Sequence, residues 1–127
     1  MSSQNKPRIS VLLPTRQRTA LLHRMLETLV ATAEDPSTIE VALRIDDDDV
    51  ETQAYIEHWS DKGLPGKLGG LSCVVGPKLR GYADVPTFIN DAAKIASSDL
   101  MIVINDDVVF ETLDWERLLV ETAAAYP

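Results

Sequence analysis

Apolar residues recur along this chain in two rhythms, and the switching between them predicts its elements. Short unbroken apolar runs come at Ile9 to Leu13, Ile39 to Ile45, Leu71 to Val75 and Leu100 to Ile104, the second interrupted by Arg44. Runs this short, with little polar alternation, read as strands buried on both faces. Between them apolar residues return every third or fourth position, the helical period. Leu21, Leu22, Met25, Leu26, Leu29 and Val30 form such a stripe behind Thr19 as N-cap, and that helix is expected to end near Asp35-Pro36. A second helix is predicted over about Val50 to Trp59. A third follows from Pro86 to about Ala96, with Asp84 as cap and Phe88, Ile89, Ala92, Ala93 and Ala96 inward. A last one starts after Thr112 or Asp114, with Trp115, Leu118, Leu119 and Thr122 on one face. Ser60 to Gly70 holds Gly63, Gly66, Gly69, Gly70 and Pro65 and reads as a mobile surface loop, and Gly76 to Gly81 as a second, basic one.

Strands that alternate with helices pair in parallel, with right-handed crossovers placing helices on both faces. The expected fold is therefore an α/β three-layer sandwich with a mainly parallel sheet in the doubly wound order 3-2-1-4. In such sheets ligands bind beyond the carboxyl ends of the strands, where the order reverses. Three polar loops converge there: Pro14-Thr15-Arg16, the aspartate run from Asp46, and Asn105-Asp106-Asp107. Taken alone, the last is explained equally well as a polar turn after a strand. Its adjacent carboxylates repel each other and cost desolvation, and a divalent ion relieves both. Mg²⁺ or Mn²⁺ takes one or two carboxylates and completes its shell with water and substrate phosphates. Arg16, Arg18, Lys78 and Arg80 on neighbouring loops suit a diphosphate held from both sides.

Composition narrows the choice. The 127 residues fit one domain, residues 1–127, behind a polar leader at 1–8. Twelve Lys and Arg against 20 Asp and Glu give a net charge of −8, which argues against nucleic acid as a partner. Cys73 stands alone inside an apolar run, so it reads as a buried, inert thiol, and His23 and His58 have no partner spacing around it. The leader lacks the apolar core of a signal peptide and no run reaches the length of a membrane span, so a soluble cytoplasmic protein is expected. No phosphate-cradling glycine signature follows the first strand, which disfavours an ATPase or a nicotinamide enzyme. A receiver-type signalling domain would carry its acidic pair after the first strand, where Pro14-Thr15 stands.

The chain resembles the glycosyltransferases of family 2, with the GT-A fold. The resemblance is carried by Ile9 to Arg18 for the opening strand and its Pro-Thr turn, by Ile45-Asp46-Asp47 for the strand-end acids, by Phe88 to Asp99 for the helix and turn before the metal strand, and by Asn105-Asp106-Asp107 at the Asp-x-Asp position. Two departures stand out: Arg16-Gln17 replaces the usual aromatic and asparagine, and Asn105 replaces the first acid. The resemblance implies that Thr15 and Arg16 line a nucleotide pocket and that Asp46 accepts a hydrogen bond from the base, uracil or thymine. Asp106 would face the ribose or a metal-bound water, Asp107 would bind Mn²⁺ or Mg²⁺ directly, and Arg80 would add charge from the basic loop. Asp48 and Asp49 are left to cap the second helix.

The implied function is metal-dependent transfer from a nucleotide diphospho-sugar of UDP or dTDP type to an unknown acceptor. The alternative is a non-catalytic nucleotide-sugar-binding or regulatory domain. The acceptor half of such enzymes, with its catalytic base, is expected to be missing from this chain, and Glu111, Asp114 and Glu116 read as first-turn acids of the last helix. The catalytic residue stays unassigned. The chain alone is expected to bind donor and to transfer sugar slowly or not at all, unless a second copy or a partner chain completes the site.

Overall fold

All eight residues of β2 (Ile39–Asp46) are buried, and so is every residue of β1 (Ile9–Thr15) except Pro14. The computed structural model describes residues 7–62, 68–79 and 82–125. β3 (Gly70–Gly76) lies outside β2 and β4 (Leu100–Val103) outside β1, giving one parallel sheet in the order β3-β2-β1-β4. This is the doubly wound order that alternation of strands and helices predicts.

The period of two along each strand sorts side chains between two layers. Ile9, Val11 and Leu13 of β1 and Val41, Leu43 and Ile45 of β2 join the larger core, packed against Leu22, Met25, Leu26 and Leu29 of α1 (Thr19–Thr32). Ile56 of α2 (Val50–Lys62) enters the same core. The opposite face is thinner. Leu12 and Ala42 meet Ala92 of α3 (Val85–Ile95), small residues that let helix and sheet approach closely. Among the described residues no helix is long and apolar enough to cross a membrane.

Three local expectations change. β1 does not stop at Leu13 but continues through Pro14 and Thr15, in register with Arg44 and Ile45. Pro14 removes only one ladder donor, near a strand end where this is tolerated. Thr19 is not the cap of α1. Arg18 holds that position without a side-chain cap bond, and the Thr19 hydroxyl donates to Glu51 at 2.7 Å.

The last helix, α4 (Trp115–Ala125), docks by its first turn rather than by an apolar stripe. Leu118 and Leu119 are exposed, whereas Trp115 and Glu116 are buried. The Trp115 indole donates to the Leu29 carbonyl at 3.1 Å, and its ring lies 4.5 Å from Phe110. Glu116 lies in the first turn of its helix as expected, and its carboxylate also accepts the N–H groups of Glu34 and Asp35, at 3.0 and 2.7 Å, so it satisfies backbone just past the end of α1. The expected mobile loop at 60–70 falls largely outside the described residues. Gly69, at its end, donates to the carbonyls of Pro36 and Ile39, and a Cβ there would stand 2.3 Å from the Ser37 carbonyl oxygen.

Candidate functional site

The sheet register decides what meets at its carboxyl edge. Thr15 pairs with Ile45 and Asp46 with Gly76, so the ends of β1, β2 and β3 are level. β4 is shorter, and after Ile104 donates to the Leu12 carbonyl the chain leaves the sheet as Asn105-Asp106-Asp107 beside Thr15. The Thr15 hydroxyl donates to Oδ2 of Asp106 at 2.9 Å, and Arg18 approaches Oδ1 at 3.4 Å. Asp106 is thereby buried and fixed, while Asn105 and Asp107 remain exposed.

At the end of β2, Asp46 is 5% exposed and takes a guanidinium on each oxygen. Arg44 donates to Oδ1 at 2.5 Å and Arg16 to Oδ2 at 2.9 Å. Arg16 also forks onto Asp48, at 2.5 and 2.9 Å. The hydrogen bond to Asp48 is the main reason the Arg16 guanidinium is held more firmly protonated than usual, and the same bond keeps the Asp48 carboxyl below the ordinary range. Asp48 therefore does not cap α2. Asp49 does: its carboxylate accepts from the Thr52 N–H at 3.1 Å and the Thr52 hydroxyl at 2.6 Å. It also accepts the Gln17 N–H at 2.8 Å, which holds the turn after β1, where Gln17 sits at a left-handed φ of 51°. Burial pushes the Asp49 carboxyl up, but these hydrogen bonds outweigh it and its pKa lies below the usual value.

An open cavity of about 790 Å³ lies at the carboxyl edge, the size of a small-molecule site. Thr15, Arg16, Asp46, Asp106 and Asp107 all line it, as do Arg18 and Lys78. Arg80, expected beside them, lies outside the described residues. Arg44 and Phe88, which the sequence pattern marks only as a strand interruption and an inward helix residue, also line the cavity. The signal for Arg44 was present as a charge two residues before a strand-end acid, hence on its face. Cys73, expected to be buried, is half-buried against the larger core, and burial pushes its thiol up.

A hard divalent ion fits this donor set. Among the described residues no three His, Cys, Asp or Glu side chains gather into a ready-made metal site. Exposed Asp107 beside fixed Asp106 would supply the one or two carboxylates that such an ion takes when substrate oxygens complete its shell.

The profile of the family described as Glycosyl transferase family 2 matches residues 10–125. The chain belongs to that family. Its fold agrees. A mannosyltransferase, PcManGT from Pyrobaculum calidifontis, in complex with GDP-Man and Mn²⁺, superposes with a TM-score of 0.69 at 19% identity, over 94% of this chain and 32% of that one. S. aureus TarS gives 0.66 at 19% identity, over 92% of this chain and 20% of its own. A 1–349 form of TarS in complex with UDP gives 0.62 at 21% identity, over 93% and 31%. The chain thus spans about a third or less of the solved structures it resembles. No curated protein matches it.

Proposed function

We propose that this family 2 domain binds a nucleotide diphospho-sugar of UDP or dTDP type in the cavity at the carboxyl edge and presents it for glycosyl transfer. The observation that carries the reading is the convergence of three strand ends on one cavity through side-chain bonds, Thr15 to Asp106 and Arg16 to Asp46, across 91 and 30 residues of chain. In this reading Asp46 accepts the imide N–H of the base. Thr15 and Arg16 flank the nucleotide, Arg80 adds positive charge, and Asp106 faces the ribose or a metal-bound water. Asp107, seconded by Asp106, would hold Mn²⁺ or Mg²⁺. When bound, the ion neutralises the leaving diphosphate, a Lewis-acid contribution of several kcal/mol. The solved relatives named above, one with GDP-Man and Mn²⁺ and one with UDP, support the class of ligand.

A binding-only reading is favoured by one observation. Among the described residues the carboxylates lining the cavity are Asp46, Asp106 and Asp107, all of them assigned to the donor. Glu116 is buried against the backbone of Glu34 and Asp35 and is not available to an acceptor hydroxyl. Transfer then needs a base from outside the described residues.

Calorimetric titration of UDP, with Mn²⁺ and with a chelator, tests the proposal. Binding should require the ion, and Asp107→Ala should remove that requirement together with at least about tenfold in affinity, the loss expected when a phosphate-bridging cation goes. Equal affinity with and without chelator would refute the metal role. No affinity for any nucleoside diphosphate would refute the donor site.

A further inference from the structure

Arg44 is the least expected residue of the buried sheet. It stands two residues before the end of a strand whose other residues are all buried, and it is itself 1% exposed. A guanidinium taken out of water carries a large desolvation cost, and an apolar side chain would fill such a place more cheaply. The surroundings are nonetheless shaped for it. Oδ1 of Asp46 accepts at 2.5 Å, the Pro77 carbonyl at 2.8 Å and Oδ2 of Asp91 at 3.4 Å. The Phe88 ring, one turn before Asp91 on α3, lies 5.1 Å below the guanidinium carbon. Gly76 leaves the room, since a Cβ there would stand 2.6 Å from Nη2. Three elements thus clamp one cation, and the cation points at the one carboxylate that the donor reading assigns to the base.

We propose that Arg44 is the positioning residue through which this pocket selects its base, a buried guanidinium on Oδ1 that turns the Asp46 carboxylate into a fixed acceptor facing the cavity. The inference rests on the donor reading above. Asp46 has two oxygens and about four acceptor sites. Arg44 takes one on Oδ1 and Arg16 takes one on Oδ2, which leaves acceptor capacity on a carboxylate that lines the cavity. A carboxylate so held is complementary to the N3–H of uracil or thymine. It opposes cytosine, whose N3 carries a lone pair. Freed from Arg44, the carboxylate can rotate or follow Arg16 and Asp48, and this discrimination is lost while the diphosphate contacts, at the other end of the ligand, persist.

The experiment measures affinities for UDP, CDP and inorganic pyrophosphate, each with Mn²⁺, in the intact chain and in Arg44→Met, which keeps the stem and removes the fork. The intact chain should prefer UDP over CDP by at least about tenfold, as a hydrogen-bonding site does against a mismatched analogue. Arg44→Met should bring the two within about threefold of each other and leave pyrophosphate affinity within about threefold of its starting value. Gly76→Ala keeps the charge but pushes the guanidinium, and should shift the ratio the same way by less. It also decides the matter if Arg44→Met fails to fold. A uniform fall in all three affinities, or an unchanged ratio in both variants, overturns the proposal and leaves Arg44 as a structural residue. Equal binding of UDP and CDP by the intact chain overturns it while the donor site stands, whereas no binding of UDP or pyrophosphate removes the donor site and this inference with it.

Discussion

Two acids on one face of β2, Glu40 at its start and Asp46 at its end, are buried to nearly the same degree, at 8% and 5% exposure, and are satisfied in opposite ways. Glu40 is closed by short neutral donors. The Ser10 hydroxyl reaches it at 2.5 Å, the Ser97 hydroxyl at 2.9 Å, and the Ser97 N–H completes the set. The Ser98 N–H then donates to the Ser10 hydroxyl oxygen, so the starts of β1 and β2 and the segment just before β4 are tied into one knot. Asp46 is held instead by two arginines, whose long side chains leave a cavity between them. Short donors use up an acid; long cationic ones orient it and keep space beside it. The amino edge of the sheet is thus closed on itself and the carboxyl edge keeps a cavity, although both begin from a buried carboxylate on the same strand.

The strongest way to break this comparison is at the knot. Glu40→Ala leaves two hydroxyls and one N–H facing the space a carboxylate filled, and hydrogen bonds to a charged acceptor each contribute roughly 1.5–3 kcal/mol. A loss of about 3 kcal/mol of unfolding free energy is expected in urea titration, with UDP affinity of the folded fraction unchanged. A loss below about 1 kcal/mol would show that the knot does not hold the amino edge together.

Next in size is Asp49, which serves both cohesion and site geometry. Asp49→Ala removes the α2 cap and strands the Gln17 N–H, and should cost about 2 kcal/mol. The pH dependence follows from the sign of its shift. The folded-state pKa of Asp49 is depressed, so its stabilisation is complete above the unfolded value, near about 4, and is lost as pH falls through the lower folded value. The intact chain should therefore lose stability below about pH 4, and Asp49→Asn should flatten that limb of the curve. An unchanged acid limb would mean that other carboxylates dominate it.

The fold was legible from sequence because apolar runs are a property of the chain itself. Four such runs separated by helical stripes admit few parallel arrangements, and β3-β2-β1-β4 is the one found. The residues around the cavity were legible for the same reason, since strand ends follow from strands. What stayed hidden was partner choice. Asp48 and Asp49 are adjacent acids of one type, yet one meets Arg16 and the other caps a helix, a distinction set by which way a turn presents each side chain. Arg44 looked like an interruption, since neither Gly76 nor Phe88 is near it in sequence. Glu116 is the first-turn acid it looked like, but its acceptor role was hidden because it depends on backbone more than eighty positions away.

The smallest effect on stability, and the sharpest probe of the carboxyl edge, belongs to Asp48. Its pair with Arg16 is exposed to solvent, where ion pairs contribute little to stability because water and salt screen them. Asp48→Asn should leave the unfolding midpoint where it is. Ligand binding is another matter. In the intact chain Arg16 spends both of its terminal nitrogens on Asp48 and one of them also on Asp46, and Asp48 itself repels an incoming diphosphate. Removing that charge frees part of the Arg16 fork for phosphate oxygens, which it can grip in the same two-point geometry. Affinity for UDP with Mn²⁺ should rise by roughly threefold to tenfold, and should fall more steeply with added salt than in the intact chain, because a new ionic contact has been exchanged for an internal one. Unchanged affinity would place Arg16 among the residues that merely brace Asp46, and the carboxyl edge would then resemble the amino edge more closely than its cavity implies.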